Sequence, residues 1–245
     1  MPGLNRLEVY FTYLTQWLNQ GLDLIYPTDI GCVLCGKKAC ECWELVLQAY
    51  HTDIRCDRCG KLLSKPGICQ DCTLRSPGFP DRVFTLALYE GHMREALHRL
   101  KYRGDKRAGL YLGELLAAGP GREVLKPDLI IPVPLHPKKR RKRGYNQALI
   151  LGISLAQTLK VPLKTNMLYR VAYTHAQADL GRQERMLNLG KAFVAAPHGL
   201  GGKNVLLIDD ILTTGFTLEL CGSALRQAGV TGLQAVCVAA GRDGR

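Results

Sequence analysis

Two adjacent carboxylates, Asp209 and Asp210, stand between an apolar run and a turn of small residues in the stretch NVLLIDDILTTGFT, residues 204–217. The run Val205–Ile208 has the length and character of a buried parallel strand. The turn Thr213-Thr214-Gly215 leads into a helical pattern that reaches about Gly229, with Leu220, Ala224, Leu225 and Ala228 on one face. Leu233–Ala239 reads as a second strand and completes a βαβ unit. Backbone N–H groups in a Thr/Gly turn at a helix N-terminus have no intrahelical partner, and the helix dipole adds positive potential. Such a turn suits a phosphate monoester, with the Thr213 and Thr214 hydroxyls as further donors. Carboxylates are poor phosphate ligands, so Asp209 and Asp210 suit ribose hydroxyls or a Mg²⁺-bound sugar. Both are expected at the exposed end of the strand, outside the core.

A second chemistry lies in the cysteines. There are ten, of which eight fall between Cys32 and Cys72. No run is long enough to span a membrane, and the N-terminus is too interrupted by polar residues to be a signal peptide. A reducing, cytoplasmic setting follows, in which clustered thiols point to metal and not to disulfides. Cys32-Val-Leu-Cys35-Gly36 and Cys56-Asp-Arg-Cys59-Gly60 are both CxxCG, a spacing that aims two thiolates at one tetrahedral ion. Cys69-x-x-Cys72 follows at a short hairpin's distance. The simplest partition is one zinc on Cys56, Cys59, Cys69 and Cys72, and a second on Cys32, Cys35, Cys40 and Cys42. An interleaved pairing also satisfies the spacing. Four thiolates leave no open coordination position, so these are structural sites.

The third signal is charge. Lys and Arg number 33 against 21 Asp and Glu, a formal net charge of +12. This surplus suits an anionic partner, either phosphorylated metabolites or nucleic acid. It is densest in Lys138, Lys139, Arg140, Arg141, Lys142 and Arg143, directly before Gly144-Tyr145-Asn146. Six consecutive cations cannot be buried unpaired, so they face solvent or a polyanion. They also follow a strand's carboxyl end, where open α/β sheets bind ligands.

The remaining elements position these groups. Residues 5–26 form an amphipathic pattern, and its few basic residues favour packing on the protein over a membrane surface. Strands are expected at 83–89 and 128–133, and helices at 92–101, 106–118 and 146–159. The turn after residue 100 carries Lys101 and Arg103. Residues 170–190 hold Arg170, Gln177 and Arg185 in a polar stretch suited to a flexible cover. Alternation of strands and helices from residue 83 onward predicts an α/β domain, its sheet mostly parallel with helices on both faces. The organisation is then an N-terminal helix (1–29), a small double zinc-ribbon-like module (30–75) and the α/β domain (81–245).

The order apolar run, DD, TTGxT resembles the phosphoribosyl pyrophosphate (PRPP) motif of type I phosphoribosyltransferases. More widely, a cysteine-rich module followed by LKYRGD, IPVPLHPKKRRKRGYNQA, HAQADLGRQERMLNL and VLLIDDILTTGFT resembles the ComF family, over about residues 30–240. The departure is the compressed spacing of Cys40 and Cys42, where the family more often has a CxxC farther along. The resemblance implies a type I phosphoribosyltransferase-like fold. It implies that Asp209 and Asp210 hold the ribose hydroxyls of PRPP, with Mg²⁺, and that Thr213, Thr214, Gly215 and Thr217 hold the 5′-phosphate. Arg143, Gly144 and Tyr145 would lie near the pyrophosphate, with Lys101 and Arg103 beside them and Arg170, Gln177 and Arg185 on the flexible loop. It further implies a role in natural competence and DNA uptake. Single-stranded DNA would lie on Lys138–Arg143, with other competence or DNA-processing proteins as partners. The intact motif keeps a second reading open, an active phosphoribosyltransferase acting on a small nucleophile. No acceptor hood is recognisable, and no catalytic residue is assigned.

Overall fold

The computed structural model describes residues 31–124, 126–171 and 192–242. The amphipathic pattern at 5–26, Gln177 and Arg185 lie outside the described residues. Helix α1 (Cys42–Thr52) and the short α2 (Gln70–Thr73) belong to the cysteine-rich part. The α/β part runs β1 (Arg82–Leu88), α3 (Gly91–Tyr102), α4 (Lys106–Ala118), β2 (Leu129–Pro132), α5 (Pro137–Arg143) and α6 (Gln147–Leu159). Then come β3 (Leu168–Arg170), β4 (Phe193–Ala195), β5 (Asn204–Leu212), α7 (Phe216–Gln227) and β6 (Gly232–Ala240).

Four strands form one parallel sheet in the order β1-β6-β5-β2, and β3 pairs antiparallel with β4. Strand β5 lies between two neighbours and is covered by helices on both faces, with Leu206 and Ile208 in one core cluster and Val205 and Leu207 in the other, which is why Val205–Ile208 is apolar throughout. Helices α3, α4 and α6 cover one face through Leu97, Leu112, Leu151 and Leu155. Helix α7 covers the other through Leu218, Cys221 and Leu225.

The pairing register opens the site. Strand β2 stops at Pro132, opposite Ile208, and the N–H of Val133 gives the last bond across that edge, to the Ile208 carbonyl at 2.9 Å. Pro132 and Pro134 lack the N–H groups that would carry the ladder further. Strand β6 continues, pairing Asp209 with Cys237 and Leu212 with Ala240. The structure therefore corrects one expectation: Asp209 and Asp210 lie within the strand and not past its end. Asp209 is partly buried and Asp210 is 6% exposed. Beyond Ile208 the edge of β5 that carries the two carboxylates is no longer paired with β2, which is where an open α/β sheet forms its ligand crevice. The helices after β2 and β5 depart to opposite faces, so this is a topological switch point of the sheet.

The cysteine-rich part is built into the same core. Cys56, Cys59, Cys69 and Cys72 belong to the apolar cluster that contains Val83, Leu207 and Leu225. The turn holding Cys56 and Cys59 covers the free edge of β1. Val83 N–H donates to Arg58 O at 2.8 Å, and the Arg55 guanidinium donates to the carbonyls of Thr85 (2.8 Å) and Leu86 (3.2 Å). An edge strand protected in this way cannot pair with another chain. The following segment, Ser76–Pro80, runs along α7 in tight backbone contact. A Cβ on Gly222 would lie 2.0 Å from the Gly78 carbonyl oxygen. Gly222→Ala is therefore expected to destabilise the protein by about 1–3 kcal/mol through overpacking. Gly201→Ala, whose Cβ would meet nothing within 4 Å, should be near neutral. Urea unfolding of both variants checks the contrast.

Candidate functional site

The crevice is assembled around β5. Asp210 points toward the α3 side and forms an ion pair with Lys101, Nζ to Oδ2 2.9 Å, both side chains being largely buried. This pair fixes the C-terminal turn of α3 against the strand. Leu100 and Tyr102 flank Lys101 and bring the second basic segment in. The Tyr145 hydroxyl donates to the Leu100 carbonyl, and Arg143 stacks over Tyr102 with 5.3 Å from its guanidinium carbon to the ring centroid. Asn146 Nδ2 ties the same turn to the Val133 carbonyl at 2.9 Å. Asp209, Asp210, Lys101, Arg143, Gly144 and Tyr145 thus gather at the carboxyl ends of β5 and β2. Arg103 is exposed just beyond, as the C-cap of α3.

Asp209 faces the opposite side, near Cys221 of α7 and Cys237 of β6. Burial pushes its carboxyl up to about 8, and the neighbouring Asp210 charge adds to the rise. The Asp210 N–H, which donates to Asp209 Oδ1 at 2.9 Å, and the Lys101 and Arg170 charges oppose it. Arg170 ends β3 with its guanidinium over the Phe193 ring at 5.2 Å. It acts on both Asp209 and His136. The structure thus brings this member of the expected loop set to the crevice.

Downstream of the carboxylates, Thr213 and Thr214 are exposed. Gly215 takes φ +73°, the left-handed region that a side chain disfavours, and serves as N-cap of α7. It provides no side-chain cap, and the Thr214 hydroxyl reaches Phe216 N–H only at 3.5 Å. Donors at the helix start are left for an anion.

The run Lys138–Arg143 is a short capped helix. His136 is the N-cap, its Nδ1 accepting from Lys138 N–H at 3.1 Å, Pro137 opens the first turn, and Gly144 closes it at φ +83°. These caps offset the repulsion among six adjacent cations, and the cations in the last turn also suit the dipole. Residues 138–142 are exposed, while Arg143 is half-buried toward Tyr102. His136 is buried, which lowers its pKa, and Arg170, Lys138 and Lys139 lower it further. It had no sequence signal beyond its place before a proline.

The eight cysteines form two groups, Cys32/Cys35/Cys40/Cys42 and Cys56/Cys59/Cys69/Cys72, with the sulfurs of each group within 4.8 Å of one another. The structure gathers the cysteines in the simpler of the two partitions. Both CxxCG turns share one construction. Gly36 N–H donates to Cys32 O (2.7 Å) and Gly60 N–H to Cys56 O (2.9 Å), each glycine having positive φ. Backbone N–H groups of Leu34 and Cys69 donate to the Cys32 and Cys56 sulfurs, both at 3.3 Å. Four converging sulfurs supported by N–H donors fit a tetrahedral thiolate metal site. The compressed Cys40-Glu41-Cys42 spacing still completes the first group, because Cys42 begins α1 and turns back toward Cys32.

Comparison with known proteins decides the family. A phosphoribosyl transferase domain model matches residues 146–245, which hold β5, the TTG turn, α7 and β6. Competence protein F of Haemophilus influenzae is 31% identical over 187 residues, covering 73% of this chain and 81% of that protein. The chain belongs to the competence protein F family. Competence protein ComFC of Bacillus subtilis is 27% identical over 217 residues, covering 86% of this chain and 83% of that protein. DNA utilization protein YhgH of Escherichia coli K12 is 28% identical over 203 residues, covering 80% and 82%. The ComF assignment accounts for the architecture. The α/β part contains a phosphoribosyl transferase domain, with a cysteine-rich module at its N-terminal side. Among the described residues, no helix is long and apolar enough to cross a membrane.

The raised carboxyl of Asp209 has a consequence for stability. Between the ordinary carboxylate range and about pH 8 the folded protein holds a proton there that the unfolded chain has released. This contribution is complete at low pH and is lost as pH rises toward 8. Asp209→Asn is expected to flatten that decline, measured as the difference in unfolding free energy between the two proteins from pH 5 to pH 9.

Proposed function

We propose that the crevice is a PRPP site and that the protein is a ComF-type factor of natural competence and DNA uptake. The observation that carries the PRPP reading is the joint placement of the Asp209–Asp210 pair and the uncapped start of α7 at one end of β5. A diol and a phosphate on one small molecule match that pairing of acceptors with donors. Asp209 and Asp210 take the ribose hydroxyls, and they are the carboxylates that suit a Mg²⁺ ion arriving with PRPP. Thr213, Thr214, Gly215 and Thr217 take the 5′-phosphate. Lys101, Arg103, Arg143, Gly144 and Tyr145 lie toward the pyrophosphate, with Arg170 over the ribose side. When bound, Mg²⁺ neutralises pyrophosphate charge.

The biological reading rests on the relatives, which are named for competence and DNA utilization. Single-stranded DNA is the proposed polyanion for α5, whose Lys138, Lys139, Arg140, Arg141 and Lys142 are exposed. Tyr102, 67% exposed beside Arg143, is the ring available to stack a base. Tyr145 is less suited, because its hydroxyl is held by Leu100 O and Lys106 lies over its ring. A cytoplasmic setting and contacts with other DNA-processing proteins follow from this role. Transfer of the phosphoribosyl group to a small nucleophile is the second reading, favoured by the complete motif. Pyrophosphate release from PRPP and Mg²⁺ with candidate acceptors tests it.

Two variants should separate the sites. Asp209→Asn/Asp210→Asn is expected to weaken Mg²⁺–PRPP binding by about 100-fold or more while leaving DNA affinity in place. Lys138→Ala/Lys139→Ala/Arg140→Ala/Arg141→Ala should keep PRPP binding and weaken single-stranded DNA binding. Its log–log salt slope should fall by about 3, since four lost charges contribute roughly 0.7 each on single strands. Calorimetry for PRPP and fluorescence anisotropy over a salt series measure both. Loss of PRPP binding in the lysine–arginine variant with DNA affinity unchanged would assign α5 to the pyrophosphate alone.

Zinc is the proposed occupant of both cysteine groups. Protein purified without added metal should carry about two Zn²⁺ per chain, as four-thiolate sites do. Because the second group lies in the main core, removing metal with a chelator and a thiol reagent should lower the melting temperature of the whole protein. Elemental analysis with calorimetric melting decides this, and titratable thiols with no bound zinc would refute it.

A further inference from the structure

The segment that joins the second cysteine group to β1 carries Arg75, three residues after Cys72. Its side chain is 2% exposed, and Nε and Nη2 have no hydrogen-bond partner. The guanidinium stacks on Phe79, 4.3 Å from the ring centroid. Its ion pair is with Glu219 in α7, itself 1% exposed, at an N···O distance of 3.7 Å, too long for a good hydrogen bond. Glu219 instead accepts from the Ser76 N–H at 2.8 Å. A buried cation with two unused donors is costly, and the loose pair with Glu219 offsets only part of that cost.

The place of the guanidinium suggests what it serves. A Cβ built on Gly215 would lie 2.7 Å from Arg75 Nη2 and 2.9 Å from Phe79 Cε2. The guanidinium therefore backs the turn whose front carries the unsatisfied donors of α7. A positive charge held in a low-dielectric interior behind that turn adds to the helix-end potential. It also leaves no room for a side chain at position 215. The segment is anchored by the cysteine group, since the Cys72 carbonyl accepts from Arg58 Nη1 at 3.2 Å and the Arg58 guanidinium also lies over the Phe79 ring, 5.7 Å from its centroid.

We propose that Arg75 is a positioning residue of the anion cradle: held behind Gly215 by the segment leaving the second cysteine group, it raises the anion affinity of the Thr213–Thr217 turn. The cysteine module thereby becomes a working part of the phosphate site. This rests on the reading of the crevice as a PRPP site. Arg75 acts through the turn and does not touch the ligand.

The test uses calorimetry with PRPP and Mg²⁺ on the full, metal-loaded chain. Glu219→Gln removes the counter-charge, keeps the oxygen that accepts from Ser76, and should bind PRPP several-fold tighter than wild type. Arg75→Met combined with Glu219→Gln removes the buried pair without leaving an orphan charge, and should bind about tenfold more weakly. Arg75→Lys with Glu219→Gln should restore most of that loss. Opposite shifts in the first two variants require charge, because damage to packing alone weakens both. Unchanged affinity in both, or a shift in the same direction, overturns the proposal while leaving the PRPP reading in place. If the double variant does not fold, Glu219→Gln decides by itself, and affinity equal to or below wild type overturns the proposal. Absence of PRPP binding by the wild-type protein overturns both readings.

Discussion

The ion pair between Lys101 and Asp210 is the contact on which the site depends. Asp210 sits on a central strand, nearly enclosed, and a carboxylate there is tolerable only with a compensating charge. Lys101 supplies it from the last turn of α3. Because α3 and β5 are far apart in sequence, this one contact sets where the basic turn Lys101–Gly104 lies. That turn in turn receives Tyr145 through the Leu100 carbonyl and Arg143 through Tyr102. Three segments separated by about a hundred residues of chain are thereby held at one end of the sheet.

The crevice exists because neighbouring strands differ in length. Strand β2 ends in a proline-rich exit while β5 and β6 pair on to Leu212 and Ala240. Had β2 continued, its backbone would fill the space beside Asp209 and Asp210. The desolvation that raises Asp209 comes from the other face of β5, where it lies against α7 and β6 near Cys221 and Cys237. The proposed cation or hydroxyl-rich ligand would supply in the crevice what the missing strand does not. The carboxylates thus face opposite needs: Asp210 is already compensated by Lys101, whereas Asp209 is the one whose ionisation a Mg²⁺-bearing ligand would favour.

Much of this was legible in the sequence, and the reasons differ by element. The apolar run at Val205–Ile208 announced a strand because both faces of β5 are covered. The CxxCG spacing announced the two thiol groups because local turn geometry, not tertiary packing, dictates it. The extent of β5 was not legible, since Asp209 and Asp210 look like a strand's end and their pairing with β6 depends on where β2 stops. The helical state of Lys138–Arg143 was hidden by its charge repulsion, which His136, Pro137 and Gly144 overcome at its two ends. Arg75 carried no signal, because its partner Glu219 lies 144 residues away and nothing local marks either as buried.

The two faces of α5 explain how one basic run could border the proposed PRPP site without being consumed by it. Arg143 turns inward, stacked on Tyr102, and its Nη1 is buried. Lys138 to Lys142 stay in solvent, where their mutual repulsion is screened within a Debye length of about 10 Å at moderate salt. On the proposed reading, a ligand in the crevice would meet mainly the inward member. On the same reading, a strand of nucleic acid along the surface would meet the outward ones and release counterions as it did so. Neutralising the exposed cations relieves the repulsion that the helix caps otherwise hold in check. Occupancy by a polyanion would therefore also stabilise α5, and with it the Gly144–Tyr145 turn that the crevice shares.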